Sequence, residues 1–207
     1  MRSDPRGHPI FAALYDVIQR PAEKKFLSPH RAYLAGNAAG RVLDVGVGTG
    51  INFGYYPPEA EVVGIEPDPH MLRRAQARAD CLGRHVKLLG DGAEQLPFPE
   101  ASFDIAVATL VFCTIPDADW ALGELRRVLR PGGQLRFLEH VRAKTPGWQR
   151  FQDFMTPVWR RIGAGCHPNR ETVGAIERAG FRIEELQHYA FGPYPARPFV
   201  RGVAVSV

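Results

Sequence analysis

The sequence predicts an α/β fold, in which a sheet of mostly parallel strands alternates with helices. Short apolar runs recur along the chain, several of them ended by a glycine or an acidic residue, as in strands that are buried on both faces. Segments with helical periodicity separate several of these runs, and this alternation indicates parallel strands joined by right-handed crossovers. With 207 residues, 45% of them hydrophobic, the chain can bury a sizeable core, so one domain is expected.

The predicted elements follow one another with short connections. Strands are predicted at residues 42–46, 62–66, 85–91, 103–112, 134–141, 181–189 and 199–207, and helices at 68–83, 118–133 and 170–181. Asp68, which a proline follows, is the expected N-cap of the first of these helices, and Gly83 lies past its end. Pro131 and Gly132 are expected to stop the second helix.

Composition and charge exclude several classes of protein. The 26 Lys and Arg residues exceed the 22 Asp and Glu residues by only four, and they are scattered, so no nucleic-acid partner is predicted. Three widely separated cysteines without a CxxC spacing argue against a disulfide framework and a zinc site, and no metal is expected. Neither a membrane-spanning run nor a secretory signal is present, so a soluble, cytoplasmic protein is expected.

The segment VLDVGVGTG at 42–50 is the first candidate binding site, because it ends a predicted strand with a glycine cluster. In an open α/β sheet, ligands bind beyond the carboxyl ends of the strands, although a tight turn alone would also account for the glycines. Glu66, twenty residues after Gly46, has the spacing of an acidic residue that binds a ribose diol. The GxGxG spacing does not suit a pyrophosphate, whereas Asp44 could hold an ammonium group. A ribose, no phosphate and a charged amino-acid end together describe S-adenosylmethionine.

Further motifs agree in order and spacing. After VLDVGVGTG and Glu66 come GDGAEQLPF at 90–98, SFDIAVA at 102–108 and RVLRPGG at 127–133. With these motifs, the chain resembles the class I S-adenosylmethionine-dependent methyltransferases over residues 40–207. The resemblance implies a Rossmann-like, seven-stranded mixed sheet with an antiparallel last strand and helices on both faces. It also implies a methyltransferase domain at 41–207, preceded by a helical lid segment at 1–40.

The resemblance implies a cofactor site built from residues that follow the strand ends. They are Asp44, Gly46, Gly48, Thr49, Gly50, Glu66, Pro67, Met71, Asp91, Gly92, Ala93, Thr109 and Leu110. Glu66 would bind the ribose, Pro67 and Met71 would flank the adenine, and Asp91 would accept a hydrogen bond from its amino group. Thr109 and Leu110 would lie beside the sulfonium, and S-adenosylhomocysteine would be the product.

The acceptor is predicted to be small and apolar. The NPPY or DPPY signature of enzymes that methylate exocyclic amines and amides is absent, which argues against DNA-amine and protein-glutamine acceptors. Segments including ATLVFCTI at 108–115, FLEHV at 137–141 and RPFVRGVAV at 197–205 resemble a membrane-associated family that methylates small alkyl thiols. They are more distantly similar to phospholipid N-methyltransferases and quinone-biosynthesis methyltransferases. A thiol is therefore favoured, with a phospholipid amine or a quinol as alternatives. A regulatory protein that binds the cofactor without turnover remains an alternative of another class.

His140 and Glu139, which end the fifth strand, are the candidate bases, and His140 has the more suitable ordinary pKa. The substrate contacts are predicted to include Tyr15, Phe112 and Trp148. Cys113 is also expected to line the acceptor pocket, as a small buried side chain rather than a nucleophile. The sequence predicts no oligomeric state.

Two amphipathic segments allow two interpretations each. At 148–163, apolar residues recur every three or four positions, and Pro157 is expected to kink or divide a helix that packs on the sheet. The alternative is an interfacial helix or an acceptor pocket. The segment 8–26 is predicted to be a lid over the cofactor, with peripheral membrane contact as the alternative. No counterpart of the hydrophobic N-terminal anchor of the thiol-methylating relatives is predicted in this sequence.

Overall fold

One seven-stranded sheet organises the computed structural model, which describes residues 7–207; residues 1–6 of the predicted lid segment lie outside them. The strands are β1 (Arg41–Val45), β2 (Glu61–Ile65), β3 (Lys87–Leu89), β4 (Phe103–Thr109), β5 (Leu129–His140), β6 (Phe181–Ala190) and β7 (Pro198–Ser206). Their order in the sheet is β3-β2-β1-β4-β5-β7-β6. Strands β1 to β5 pair in parallel, and β7 runs antiparallel to both β5 and β6. The predicted mixed sheet with an antiparallel last strand is confirmed.

Six α-helices accompany the sheet within the described residues 7–207. They are α1 (Pro9–Ala22), α2 (Ser28–Ala35), α3 (Pro69–Cys81), α4 (Ala118–Val128), α5 (Pro146–Ile162) and α6 (Thr172–Arg178). A π-helical turn, Glu23–Leu27, joins α1 to α2. Asp68 caps α3 as predicted, because its side chain accepts hydrogen bonds from the N–H groups of His70 and Met71. Between residues 7 and 207, no helix has the length and apolar character needed to cross a bilayer.

The sheet buries side chains on both faces. In β1, Leu43 packs into the core cluster that holds Leu122 of α4, whereas the preceding Val42 packs into the opposite cluster, with Ala75 of α3. Alternate residues of a strand point to opposite faces, so both must be apolar where helices cover both. This requirement explains the continuous apolar runs in the sequence.

The second predicted helix ends earlier than expected. The helix α4 ends at Val128, and Leu129 already has the extended ψ of 142° with which β5 begins. The prediction that Pro131 and Gly132 would stop the helix was therefore wrong by several residues. Proline disfavours the helical conformation for the residue before it, so the chain becomes extended ahead of Pro131. An irregular register between β4 and β5 accommodates the added residues.

The helix α5 continues through Pro157, so this proline does not divide it. Against expectation, the helix does not bury its apolar face: Phe154 is 78% exposed and Ile162 is 65% exposed. Instead, the buried amide of Gln152 holds the helix in place. The two hydrogens of its nitrogen donate to the carbonyls of Val141, Pro168 and Pro195, one hydrogen being shared between two of them, and its oxygen accepts from the N–H of Ala143. These four hydrogen bonds fix the helix from its polar side.

Candidate functional site

A cavity of about 630 Å³ lies at the carboxyl ends of the parallel strands. Its floor includes residues that end or follow four strands: Gly46 after β1, Glu66 after β2, Thr109 at the end of β4 and His140 at the end of β5. The helix α1, the end of α5 and the connection between β6 and β7 complete its walls. In the order of the sheet, β2 and β5 lie on opposite sides of β1 and β4. We call the part of the cavity over β1 and β2 the cofactor side, because the sequence predicts cofactor contacts there, and the part over β5 and β7 the acceptor side, because the sequence predicts the base there.

The glycine loop after β1 gives the cofactor side an open backbone. Gly46 and Gly48 have φ values of +63° and +56°, which favour glycine. A side chain at Gly46 would collide with Val111, but a Cβ atom at Gly48 would meet no protein atom within 4 Å. Since Gly48 lines the cavity, its bare backbone leaves room for a ligand to approach.

Glu66 lies beside this loop, with 9% of its surface exposed. One carboxylate oxygen accepts from the N–H of Gly48 at 3.0 Å, and the other accepts from the N–H of Asp68 at 2.9 Å. Burial raises the pKa of Glu66, and the two backbone hydrogen bonds oppose the rise. Each oxygen keeps a second lone pair, so the fixed carboxylate can also accept hydrogen bonds from two hydroxyl groups.

A buried polar chain borders the cavity next to the glycine loop. Arg31 of α2 makes a forked contact with Glu23 and donates to Asn52 Oδ1 at 2.8 Å. Asn52 in turn donates to Asp44 Oδ1 at 3.1 Å. Asp44 is fully buried, and burial raises its pKa to about 7. Arg31 and Asn52 line the cavity and Asp44 stands behind them, so a ligand meets the first two side chains.

The helix α1 is attached to the glycine loop through Asp16. The Asp16 carboxylate accepts from the Thr49 hydroxyl at 2.6 Å and from Arg78 of α3 at 2.6 Å. A second attachment joins the N–H of His8 to Asp68. These contacts hold Tyr15 against the cavity, where burial raises the pKa of its hydroxyl group and keeps it protonated at neutral pH.

His140 lines the acceptor side. Its Nδ1 lies 2.7 Å from the carbonyl oxygen of Ala196, which can only accept, so Nδ1 carries the proton and Nε2 carries a lone pair. Burial lowers the pKa of His140 to about 4. The ring is therefore neutral at neutral pH, and it contacts the ring of Phe199 with centroids 4.3 Å apart.

Glu139 points away from the cavity. Its Oε1 accepts from the N–H groups of Val111 at 2.7 Å and Phe112 at 3.0 Å, and it is completely buried. Burial raises its pKa to about 7. Glu139 thus fixes the turn that follows β4, and this turn carries Cys113 to the cavity wall.

The comparisons with known proteins agree with this geometry. Residues 43–137 match the family model described as a methyltransferase domain. The thiol S-methyltransferase TMT1A of Homo sapiens is 33% identical over 205 residues, which cover 95% of this chain and 83% of that protein. The chain belongs to the S-adenosylmethionine-dependent methyltransferase family.

Two further similarities show the breadth of this methyltransferase family. The phosphatidylethanolamine N-methyltransferase of Cereibacter sphaeroides is 37% identical over 110 residues, or 52% of this chain and 54% of that protein. A solved methyltransferase from Aquifex aeolicus superposes with a TM-score of 0.66 at 20% identity, covering 97% of this chain and 99% of that one. At this identity, the solved structure shows the shared fold alone.

Most residues that the sequence predicted for the site do line the cavity of this methyltransferase. They are Tyr15, Gly46, Gly48, Thr49, Glu66, Pro67, Met71, Gly92, Ala93, Thr109, Leu110, Cys113 and His140. Six predicted residues do not line it: Asp44, Gly50, Asp91, Phe112, Glu139 and Trp148. Gly50 has a structural reason of its own, since its φ is +78° and a Cβ atom there would meet the ring of Phe53. Trp148 instead stacks on Tyr194, with ring centroids 4.1 Å apart.

Sequence reasoning missed three polar residues of the site: Asp16, Arg31 and Asn52. Arg31 and Asp16 lie in helices that carry no recognised motif, and their partners are between 8 and 62 residues away in the chain. Only Asn52 gave a signal, because it follows the glycine cluster by two residues.

Proposed function

We propose that this methyltransferase transfers a methyl group from S-adenosylmethionine to a small apolar acceptor, and that a thiol is the favoured acceptor. The observation that carries the proposal is the neutral His140 in the cavity wall, across the sheet from the Glu66 carboxylate. When bound, the cofactor supplies a methyl group on a positively charged sulfur. The cavity volume of about 630 Å³ suits the cofactor and an acceptor of small size.

The residues of the cofactor side fit this cofactor. The open position at Gly48 would admit it, Glu66 would accept hydrogen bonds from its ribose, and Gly92 and Ala93 would lie along its adenine. Arg31 and Asn52 present polar groups suited to its carboxylate and amino groups. We assign the amino-acid end to these two residues rather than to a direct contact with Asp44.

His140 would take the proton that a thiol loses. Its pKa of about 4 is too low for it to hold that proton before methyl transfer, since a free thiol has a pKa near 8.5. As the new bond to carbon forms, however, the acceptor sulfur becomes strongly acidic and the lone pair on Nε2 can accept the proton. Orientation of the two reactants would supply most of the acceleration, up to about 7–11 kcal/mol.

The exposed apolar faces of α1 and α5 support peripheral contact with a membrane. Ile18 and Ile162 are 62% and 65% exposed, yet both also line the cavity, so apolar surface surrounds its mouth. The exposed basic residues flanking these faces are Arg20, Lys24, Lys25, Arg150, Arg160 and Arg161. Basic residues beside an apolar face are the pattern of helices that bind anionic lipid surfaces. An apolar acceptor dissolved in the membrane could then enter the cavity directly.

Methyl transfer to a panel of acceptors tests the proposed reaction. The panel contains short alkyl thiols, phosphatidylethanolamine vesicles and a demethylquinol, each with radiolabelled S-adenosylmethionine. We expect label on the thiols. Label on lipid or quinol alone would replace the thiol by one of the alternative acceptors. Cofactor binding without transfer to any acceptor would instead favour a regulatory binding protein.

Vesicle co-sedimentation tests the membrane contact. We expect the full chain to bind vesicles containing anionic lipid, less so at high salt, and the Phe154→Ser/Ile162→Ser double variant to lose this binding. Trp120→Ser is the matched control, because Trp120 is also exposed (64%) but lies on α4. Equal binding by all three proteins, or none by any, would contradict the proposed contact.

A further inference from the structure

Two cysteines contact each other in the wall of the cavity. Cys113 follows β4 and Cys166 follows α5, and both line the cavity although they are otherwise buried. The N–H of His167, which is bonded to the carbonyl carbon of Cys166, donates to the carbonyl of Cys113 at 2.7 Å. The backbones of the two cysteines are thus held side by side, and their thiol groups interact directly. The third cysteine, Cys81 at the end of α3, is exposed.

Contacts on both sides hold this pair in place. Glu139 binds the N–H groups of Val111 and Phe112, and Arg170 donates to the carbonyl of Phe112. The Cys166 N–H donates to the Gly163 carbonyl at 3.0 Å. Contact with the Cys113 thiol lowers the pKa of Cys166, and a weaker contribution from the indole of Trp159 acts in the same direction. The pKa of Cys113, in contrast, is raised by its contact with Cys166 and by burial. Cys166 is therefore the more easily ionised of the two thiols, and only the thiolate is a nucleophile.

We propose that Cys113 and Cys166 are a redox-active dithiol, which small disulfides entering the cavity oxidise to an intramolecular disulfide. The Cys166 thiolate attacks one sulfur of the small disulfide RSSR, breaking its S–S bond and releasing RS⁻, which takes up a proton. Cys113 then loses its proton and attacks the Cys166 sulfur, which expels the second RS⁻. Two protein thiols and one RSSR become one protein disulfide and two RSH.

The new bond joins the turn after β4 to the end of α5, and both form part of the cavity wall. Drawing two thiols from contact to a bond length of about 2.05 Å moves these segments together. A shift of this size at the acceptor side would misplace an acceptor, and a misplacement of about 1 Å can cost up to about 10²-fold in rate. This consequence rests on the proposed function: a thiol acceptor that has been oxidised to its disulfide would then switch off the enzyme that methylates it.

Peptide mapping of the full chain after treatment with 2-hydroxyethyl disulfide tests the dithiol. We expect a Cys113–Cys166 linked peptide that disappears on treatment with dithiothreitol. It should form equally in Cys81→Ser, whereas Cys113→Ser should instead carry a mixed disulfide on Cys166. Reaction of Cys81 alone in the native protein, with both cavity thiols unmodified, would overturn the proposal.

A second measurement separates this inference from the proposed function. The linked peptide is mapped without any acceptor, so it should form even if no thiol is methylated. In an active preparation, oxidation should lower the rate of thiol methylation about tenfold, reversibly, while cofactor binding is retained. A linked peptide with an unchanged methylation rate would contradict the switch.

Discussion

The cofactor side and the acceptor side of the cavity are assembled in different ways. On the cofactor side, the backbone of the glycine loop and the Glu66 carboxylate come from the ends of two adjacent strands, β1 and β2. On the acceptor side, the neighbours of His140 are Phe199 on β7 and Ala196 just before it, about sixty residues further along the chain. Both sides use the ends of adjacent strands, but the strands of the first are close in the sequence, whereas those of the second are far apart in it. Substitutions on the two sides should therefore impair different properties: cofactor binding on the first side and turnover on the second.

Glu66→Ala should have the largest effect, and it should act on cofactor binding. The variant loses two hydrogen bonds from ribose hydroxyls to the carboxylate, each worth about 1.5–3 kcal/mol. Cofactor binding should therefore weaken by about 10²–10⁴-fold. Isothermal titration calorimetry with S-adenosylhomocysteine measures the change. Glu61→Ala is the control, because Glu61 begins the same strand at its other end and is exposed. A similar affinity in both variants would contradict the role of Glu66.

His140→Gln should act on the opposite side, on turnover rather than on cofactor binding. Loss of a general base costs about 10²–10⁴-fold in rate, and the weak base here points to the lower limit. Because burial lowers the pKa of His140 to about 4, the neutral form should persist in the folded protein as the pH falls through 6.5. Activity limited by His140 should then decline only as the pH approaches 4.

The rate of methyl transfer measured between pH 5 and pH 8 checks this second expectation. His188→Gln, on the exposed strand β6, is the matched control. A protonation step near pH 6.5 that disappears in His140→Gln would show that His140 has an ordinary pKa and is accessible to water. An unaltered rate in His140→Gln would remove it from the reaction.

Glu139 was predicted as a base, but it lies behind the cavity wall, so we expect its substitution to change stability. Glu139→Ala leaves two buried N–H groups without an acceptor, which should lower the free energy of unfolding by about 2–4 kcal/mol. Glu139→Gln should keep that bonding, because Oε1 receives both hydrogen bonds and Oε2 has no partner among the described residues. Chemical denaturation measures both variants.

The pH dependence of these variants has a defined sign. Burial raises the pKa of Glu139 to about 7, so the native protein binds this proton more tightly than the unfolded chain does. The wild type should lose stability as the pH rises from about 4.5 through 7, and the neutral Gln should not lose this contribution. The stability of Glu139→Gln relative to the wild type should therefore rise between pH 5 and pH 9. A constant difference would show that Glu139 does not titrate in this range.

The same contrast explains what the sequence could predict. The apolar strands and the GxGxG turn are local features, so β1, Glu66 and Gly48 could be found without a structure. For α5, the apolar periodicity correctly predicted a helix but wrongly predicted which side would be buried. The position of the helix is instead set by the four hydrogen bonds of the Gln152 side chain, whose partners lie up to 43 residues away in the sequence. Periodicity identifies an apolar face, but it does not show whether that face packs against protein or contacts something else, such as a membrane.

The Asp16 attachment should give the smallest effect, on the rate at which the cofactor leaves. If α1 is a lid, Asp16→Asn weakens its contact with Arg78 while keeping an oxygen for Thr49, and release should become up to about fivefold faster. Stopped-flow measurement of S-adenosylhomocysteine release tests this. Asp119→Asn is the control, because its ion pair with Arg178 joins α4 to α6 outside the cavity wall. Equal release rates would mean that α1 is a fixed wall of the cavity and not a lid.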